Sequence, residues 1–167
     1  RLSNTTRNPG KDKVLTKTMI NNYAKNDLLP PPIKKKYSKE HVLVLIFIYY
    51  FKGILTINDI QTLLGPITDK FFQTDEKFNI EKLYDEVFSL EKGQIEILKN
   101  DVVEQYKVSQ DIFEDAPEQD KEFLNIFAFI CVLSFDVYVK KMLIEKLIDG
   151  IQKGEDKEDN KKDKKKS

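Results

Sequence analysis

Residues 15–64 read LTKTMINNYAKNDLLPPPIKKKYSKEHVLVLIFIYYFKGILTINDIQTLL. Thr16 is a good N-cap for a short helix over 17–26. Met19, Ile20 and Tyr23 fall at helical spacing, so one face is apolar while Lys17, Asn21, Asn22 and Lys25 lie elsewhere on the cylinder. Pro30, Pro31 and Pro32 end any helix and impose an extended path. Residues 33–37 then have room for a short strand or tight loop carrying Lys34, Lys35 and Lys36. Ser38 caps a second helix over 39–51, with Val42, Leu45, Ile46, Ile48 and Tyr49 as its buried side and Gly53 as its stop. Thr56 caps a third helix to Leu64, with Ile57, Ile60, Leu63 and Leu64 inward. Asp59 sits in its first turn, where a carboxylate favours the positive end of the helix. Gly65-Pro66 is expected to end it.

Outward from this stretch the chain stays helical. Ile80, Leu83, Val87 and Leu90 run at three-four spacing, and the pattern resumes at Ile95, Leu98, Val102 and Tyr106. That predicts a helix over 80–108 with a phase slip, hence a bend, at Gly93. Ala116-Pro117 marks a turn. A last helix over 119–151 is apolar nearly all round at first. Its stretch 123–139, FLNIFAFICVLSFDVYV, approaches the length of a membrane span. Asn125, Ser134 and Asp136 interrupt it and Lys140 and Lys141 follow at once, so the expectation is a mostly buried core helix and no membrane. The tail 152–167 is charge-mixed and expected to be disordered. Residues 1–13 are polar with Pro9-Gly10 and read as a flexible arm. No internal repeat is visible.

The 167 residues suit a small head plus a helical body. Net charge is zero, with 28 basic and 28 acidic residues. The sum conceals an asymmetry. Residues 1–56 hold 11 Lys and Arg against 3 Asp and Glu, and residues 57–154 hold 11 against 20. A basic half beside an acidic half suggests that one half meets a polyanion. The single cysteine, Cys131, excludes an internal disulfide and fits a reducing cytoplasm. One His and one Cys leave no basis for a structural zinc site. The start RLSNTTRNPGKDK has neither Met nor an apolar core, which suggests a fragment or processed form without a signal peptide.

For catalysis the sequence is poor. There is no Gly-rich phosphate loop. His41 is the sole imidazole and has no nucleophile placed beside it by a motif, so a packed or hydrogen-bonded first-turn residue is the simpler expectation. Acidic pairs such as Asp75-Glu76, Asp85-Glu86 and Glu114-Asp115 read as solvated helix faces. No enzyme activity, cofactor or metal is expected. The case for DNA is better. A helix entering the major groove needs polar side chains at its N-terminal end, which Lys17, Thr18, Asn21 and Asn22 supply. The Lys34, Lys35 and Lys36 run offers three cations for phosphates. Tyr23 and Tyr37 offer hydroxyls for the same purpose.

The segment resembles the MerR-type winged-helix head. In that pattern Thr16 matches the cap, Ile20 the aliphatic position, Tyr23 the second aromatic, and Leu28-Leu29 with Pro31 the close. Tyr37-Ser38-Lys39-Glu40 matches the helix start after the wing, and residues 53–60 with Leu63-Leu64 match the last helix. Asn21 stands where the family carries Arg, Ala24 where it carries an acid, and Asp27 where it carries Gly. The wing is shortened to 31–36, and no amphipathic helix precedes Thr16, so a supporting first helix is missing or lies upstream. The likeness is closer still to a bacterial family catalogued as domain of unknown function number 1836, whose run residues 15–52 follow almost position by position.

These resemblances imply an all-α protein with room for a very short β wing. A MerR-like winged helix-turn-helix head at 14–66 would precede a helical hairpin or bundle at 78–151. The head would be a transcriptional regulator's reader of double-stranded DNA, in the cytoplasm. Its contacts would be Thr16, Lys17, Thr18, Asn21, Asn22, Tyr23, Lys25, Lys34, Lys35, Lys36, Tyr37 and Lys39. The body would make a homodimer, by likeness to the family's dimerising helices. The rival expectation is a protein-interaction module built on a degenerate head, with the apolar stretch 28–33 in the contact.

Overall fold

The structure, a computed structural model, describes residues 15–110 and 112–163. The flexible arm expected at 1–13 lies outside the described residues. Five helices account for most of the chain: α1 Lys17–Lys25, α2 Lys39–Phe51, α3 Ile57–Phe71, α4 Ile80–Val108 and α5 Glu118–Asp163. Among the described residues there is no strand, and the fold is all-α. The chain divides into two compact units: a head, up to Asp85 and again from Leu147, and a body from Glu86 to Lys146.

The head forms because three capped helices bury their apolar faces together. Thr16, Ser38 and Thr56 each accept a hydrogen bond from the amide three residues on, at Met19, His41 and Asp59. Each cap satisfies an amide that the helix leaves without a partner. At the end of α1, Leu28 N–H donates to the Tyr23 carbonyl and Asp27 N–H to the Ala24 carbonyl. This crossed pair needs a left-handed residue, and Asp27 supplies it at φ 53°. The turn drives Leu28 and Leu29 into the core, 2% and 1% exposed.

The central element is α2. Its sequence is apolar on every side, so periodicity cannot choose its inward face. The structure buries His41, Leu43, Val44, Leu45, Phe47 and Ile48. Val42, expected inside, is 51% exposed, and Tyr49 is half-buried. On α3, Ile60 and Leu64 are buried, Leu63 is half-buried and Ile57 is exposed.

α3 does not stop at Gly65-Pro66. It runs through Pro66 to Phe71. Proline removes one amide donor and crowds the preceding turn, at a cost of about 3 kcal/mol. Packing beyond it offsets that cost. Phe71 meets Phe78 with ring centroids 5.3 Å apart, and Phe72 meets the His41 ring at 4.8 Å. The Thr68 hydroxyl also bonds the Leu64 or Gly65 carbonyl, at 3.0 and 2.9 Å. The head is completed by Ile80 at the start of α4 and by Ile148 of α5, both fully buried. Gln152 Nε2 donates to Thr62 Oγ1 at 2.8 Å. α5 continues to Asp163, well into the charged stretch expected to be disordered.

In the body, α4 is unbroken through Gly93. Tyr106 of α4 packs edge-on against Phe129 of α5 at 5.2 Å. Lys140 is held above the usual lysine range chiefly by its hydrogen bond to Asp136, with a smaller contribution from Asp101 of α4. Pairing 106 with 129 and 101 with 140 makes the two helices antiparallel. Among the body's described residues only Ser109 and Ala128 are buried.

The stretch 123–139 is therefore not a buried core helix. Residues 118–154 of α5 are long and apolar enough to cross a membrane by length and composition, with a mean hydropathy of 1.8 in the most apolar window, and only 6% of that window is buried. A helix that is apolar all round can be covered on one side only by a single antiparallel neighbour.

Candidate nucleic-acid interface

The region between α1 and α2 is a minimal hairpin. Lys36 N–H donates to the Ile33 carbonyl at 2.9 Å, and these two residues form an isolated antiparallel bridge. The two residues at its tip, Lys34 and Lys35, both have positive φ, 49° and 63°. Two consecutive left-handed residues match the sharp twist of a two-residue hairpin, a place where Asn and Gly are usual. Each non-glycine residue held there costs roughly 1–2 kcal/mol. The chain thus carries backbone strain to present two lysines where two glycines would be easier. Lys34, Lys35 and Lys36 are all exposed.

His41 holds the base of this hairpin. Ser38 N–H donates to His41 Nδ1 at 2.9 Å, so Nδ1 is the bare nitrogen and the ring proton is on Nε2. The Ser38 hydroxyl lies 2.8 Å from the same nitrogen. Nε2–H then points to the Pro31 carbonyl at 3.3 Å. The Tyr37 ring packs edge-on at 5.3 Å and Phe72 at 4.8 Å. One fully buried imidazole therefore joins the proline segment before the hairpin, the cap of α2 and the end of α3. The sequence offers a trace of this role. Ser38 and His41 occupy the two positions of a capping box, with His where Glu or Gln is usual.

The residues expected on α1 divide by face. Lys17, Thr18, Asn21, Asn22 and Lys25 are exposed. Thr16 is spent on the cap, at 3.2 Å from Met19 N. Tyr23 is half-buried, and burial raises its phenol above the ordinary value of 10.0, keeping it a neutral donor. Asn26 Nδ2 donates to the Asn22 carbonyl at 2.8 Å, leaving the Asn22 side chain outside that bond.

Lys39 is drawn elsewhere. Its ammonium meets Glu81 at 2.6 Å, and that hydrogen bond with the carboxylate charge raises its pKa. Tyr37 is packed by its ring against His41 yet 39% exposed. The site that results is an exposed polar face on α1 followed, nine positions after its last residue Lys25, by a hairpin bearing the three cations Lys34, Lys35 and Lys36. The apolar stretch 28–33 is not a contact surface as a whole, because Leu28 and Leu29 are core and only Ile33, at 55%, is open among the bulky residues. No group of three or more His, Cys, Asp or Glu side chains that could hold a metal occurs among the described residues.

A family model described as a domain of unknown function (DUF1836) matches residues 1–87. The match takes in the whole of α1, the hairpin, α2 and α3 and reaches into α4. No curated protein and no solved structure gives a significant match.

Proposed function

The chain belongs to the family of the domain of unknown function (DUF1836), and from that premise we propose that its head reads duplex DNA as a transcriptional regulator of MerR-like winged-helix type. The observation that carries this reading is the strained tip. Lys34 and Lys35 occupy left-handed backbone that neither prefers, on a hairpin fixed by a 2.9 Å bond and buttressed by His41. Strain kept at an exposed cationic tip serves presentation rather than packing. A polyanion is the partner it fits, and the regular phosphates of a duplex can take three adjacent cations.

In this reading α1 lies in the major groove. Asn21 and Asn22 are the base-reading groups, since an asparagine amide can bond an adenine edge twice. Lys17, Thr18 and Lys25 flank them and meet phosphates at the groove walls, with the Tyr37 hydroxyl beside the lysine tip. Lys39, tied to Glu81, contributes least. A cytoplasmic location follows from the role.

Fluorescence anisotropy of the full chain on labelled random duplex tests this. Binding at low salt is expected, with loss in K34E/K35E/K36E while the helical circular dichroism is unchanged. A folded chain that leaves the anisotropy flat at low salt overturns the reading.

A further inference from the structure

A groove of about 350 Å³ lies in the head, between the turn after α1, the proline segment and the last turn of α3. Its size is at the small end of the range for ligand cavities, about 300–1,000 Å³. Leu29, Pro30, Pro31 and Phe72 supply its apolar wall. Two carboxylates stand on it, Asp27 from the turn and Asp69 from α3.

The presence of both acids there is not a matter of overall composition. The head is basic, with eight lysines and four acids over residues 15–72. Two of the four acids hold backbone: Glu40 accepts the Gln73 N–H at 3.1 Å, and Asp59 accepts the Thr56 N–H at 3.0 Å. The carboxylates of Asp27 and Asp69 have no hydrogen-bond or ion-pair partner among the described residues. The two acids that fix nothing in the head's fold therefore meet at one groove.

The helix ends add to its negative potential. Asp27 lies two positions past Lys25, the last residue of α1, and Asp69 lies in the last turn of α3. A helix carries partial negative charge at its C-terminus, where cations are favoured and carboxylates are not. Two helix C-termini and two carboxylates thus share one groove. Their lysine neighbours in sequence do not fill it. Neither Lys25 nor Lys70 lines the groove, and the Lys70 ammonium sits over the Phe71 ring at 5.2 Å.

The apolar wall says what kind of cation fits. A bare metal ion takes oxygen ligands and would leave Leu29, Pro30 and Phe72 against its water. An alkylammonium uses both parts of the groove. Its N–H groups meet the carboxylates, its methylenes lie on carbon, and its charge is favoured by the face of an aromatic ring. We propose that this groove binds a small aliphatic amine of the diamine or polyamine class, held by Asp27 and Asp69 at its ammonium groups. The Phe72 ring that lines the groove also meets His41 at 4.8 Å, and the Pro31 carbonyl lies 3.3 Å from His41 Nε2. A bound amine therefore touches the residues that brace the lysine hairpin. The site rests on the groove's own shape and charge, and it stands whether or not the head reads DNA.

The test is titration of the ¹⁵N-labelled full chain with 1,5-diaminopentane, followed by amide correlation spectra. Saturable shifts concentrated at residues 24–31 and 68–73 are expected. Asp27→Asn/Asp69→Asn is expected to bind about tenfold more weakly with unchanged helical circular dichroism, since both side chains are exposed and bond to nothing described. Asp27→Gly, which keeps the left-handed turn, is expected to weaken binding as well. Absence of saturable shifts at millimolar amine overturns the proposal, and so does a double variant that binds like the wild type. Shifts spread along the acidic faces of α4 and α5 mean general counter-ion attraction and also overturn it. Magnesium chloride that gives the same shifts at equal concentration assigns the groove to an inorganic ion and overturns the amine.

Discussion

The head's α2 and the body's stretch 123–139 are both strongly apolar, and they end in opposite states. The head encloses α2 so fully that Val44 and Ile48 have no exposure at all. The body leaves Phe123, Phe135 and Tyr138 more than three-fifths exposed on the apolar stretch of α5. The difference is the number of neighbours, not the residues. α2 is packed against α3, and it meets the start of α4 through Phe47 on Tyr84 and Lys39 on Glu81. The body's stretch of α5 has α4 alone. Apolarity states that a surface must be covered; it does not state by which chain.

Matched truncations give the widest test of that contrast. Ile48→Ala leaves a cavity in an enclosed site and is expected to cost about 2–5 kcal/mol in urea unfolding. Leu98→Ala, on the exposed side of α4, is expected to change the unfolding of the single chain by no more than about 0.5 kcal/mol. Equal costs for both would abolish the distinction between the two units.

His41→Ala sharpens the account of the head. It opens a cavity and strips the bond partners from Ser38 N–H and the Pro31 carbonyl, an expected loss of about 2–4 kcal/mol. DNA affinity should fall with it, because the lysine hairpin loses its base. Unchanged stability would mean that the imidazole is not the tie between the hairpin, α2 and α3.

Asp27→Gly acts in the other direction. Glycine adopts the left-handed turn at the end of α1 without the penalty aspartate bears at φ 53°. A gain of about 0.5–1 kcal/mol is expected in the same unfolding measurement. A loss would show that the Asp27 carboxylate, not its backbone, holds the turn.

Much of the head was legible in the sequence because local chemistry marks its boundaries. Thr16, Ser38 and Thr56 name three helix starts, and the lysine triplet after three prolines names an exposed turn. What was not legible depends on packing at a distance. Pro66 reads as a stop, yet Phe71 and Phe72 hold the helix beyond it by contacts with Phe78 and His41. The inward face chosen for α2 was right at Leu45 and Ile48 and wrong at Val42, since a run apolar on every side carries no period. His41 read as a packed or hydrogen-bonded first-turn residue, and it is one, but no spacing could name its partner, the Pro31 carbonyl, a backbone atom ten residues away. The exposure of α5 was missed because a continuous apolar stretch reads as core whether its cover comes from the same chain or another. On the candidate site, sequence supplied the exposed lysines and asparagines. It could not supply the positive φ at Lys34 and Lys35 or the capture of Lys39 by Glu81.

The most direct measurement is the salt dependence of DNA affinity, wild type beside K34Q/K35Q/K36Q. Each lysine that neutralises a phosphate contributes about 0.9 to the slope of log affinity against log salt. The account predicts a steep slope for the wild type and one shallower by nearly three such contributions in the variant. A slope unchanged by the three substitutions would contradict it, because the hairpin would then not be what touches DNA.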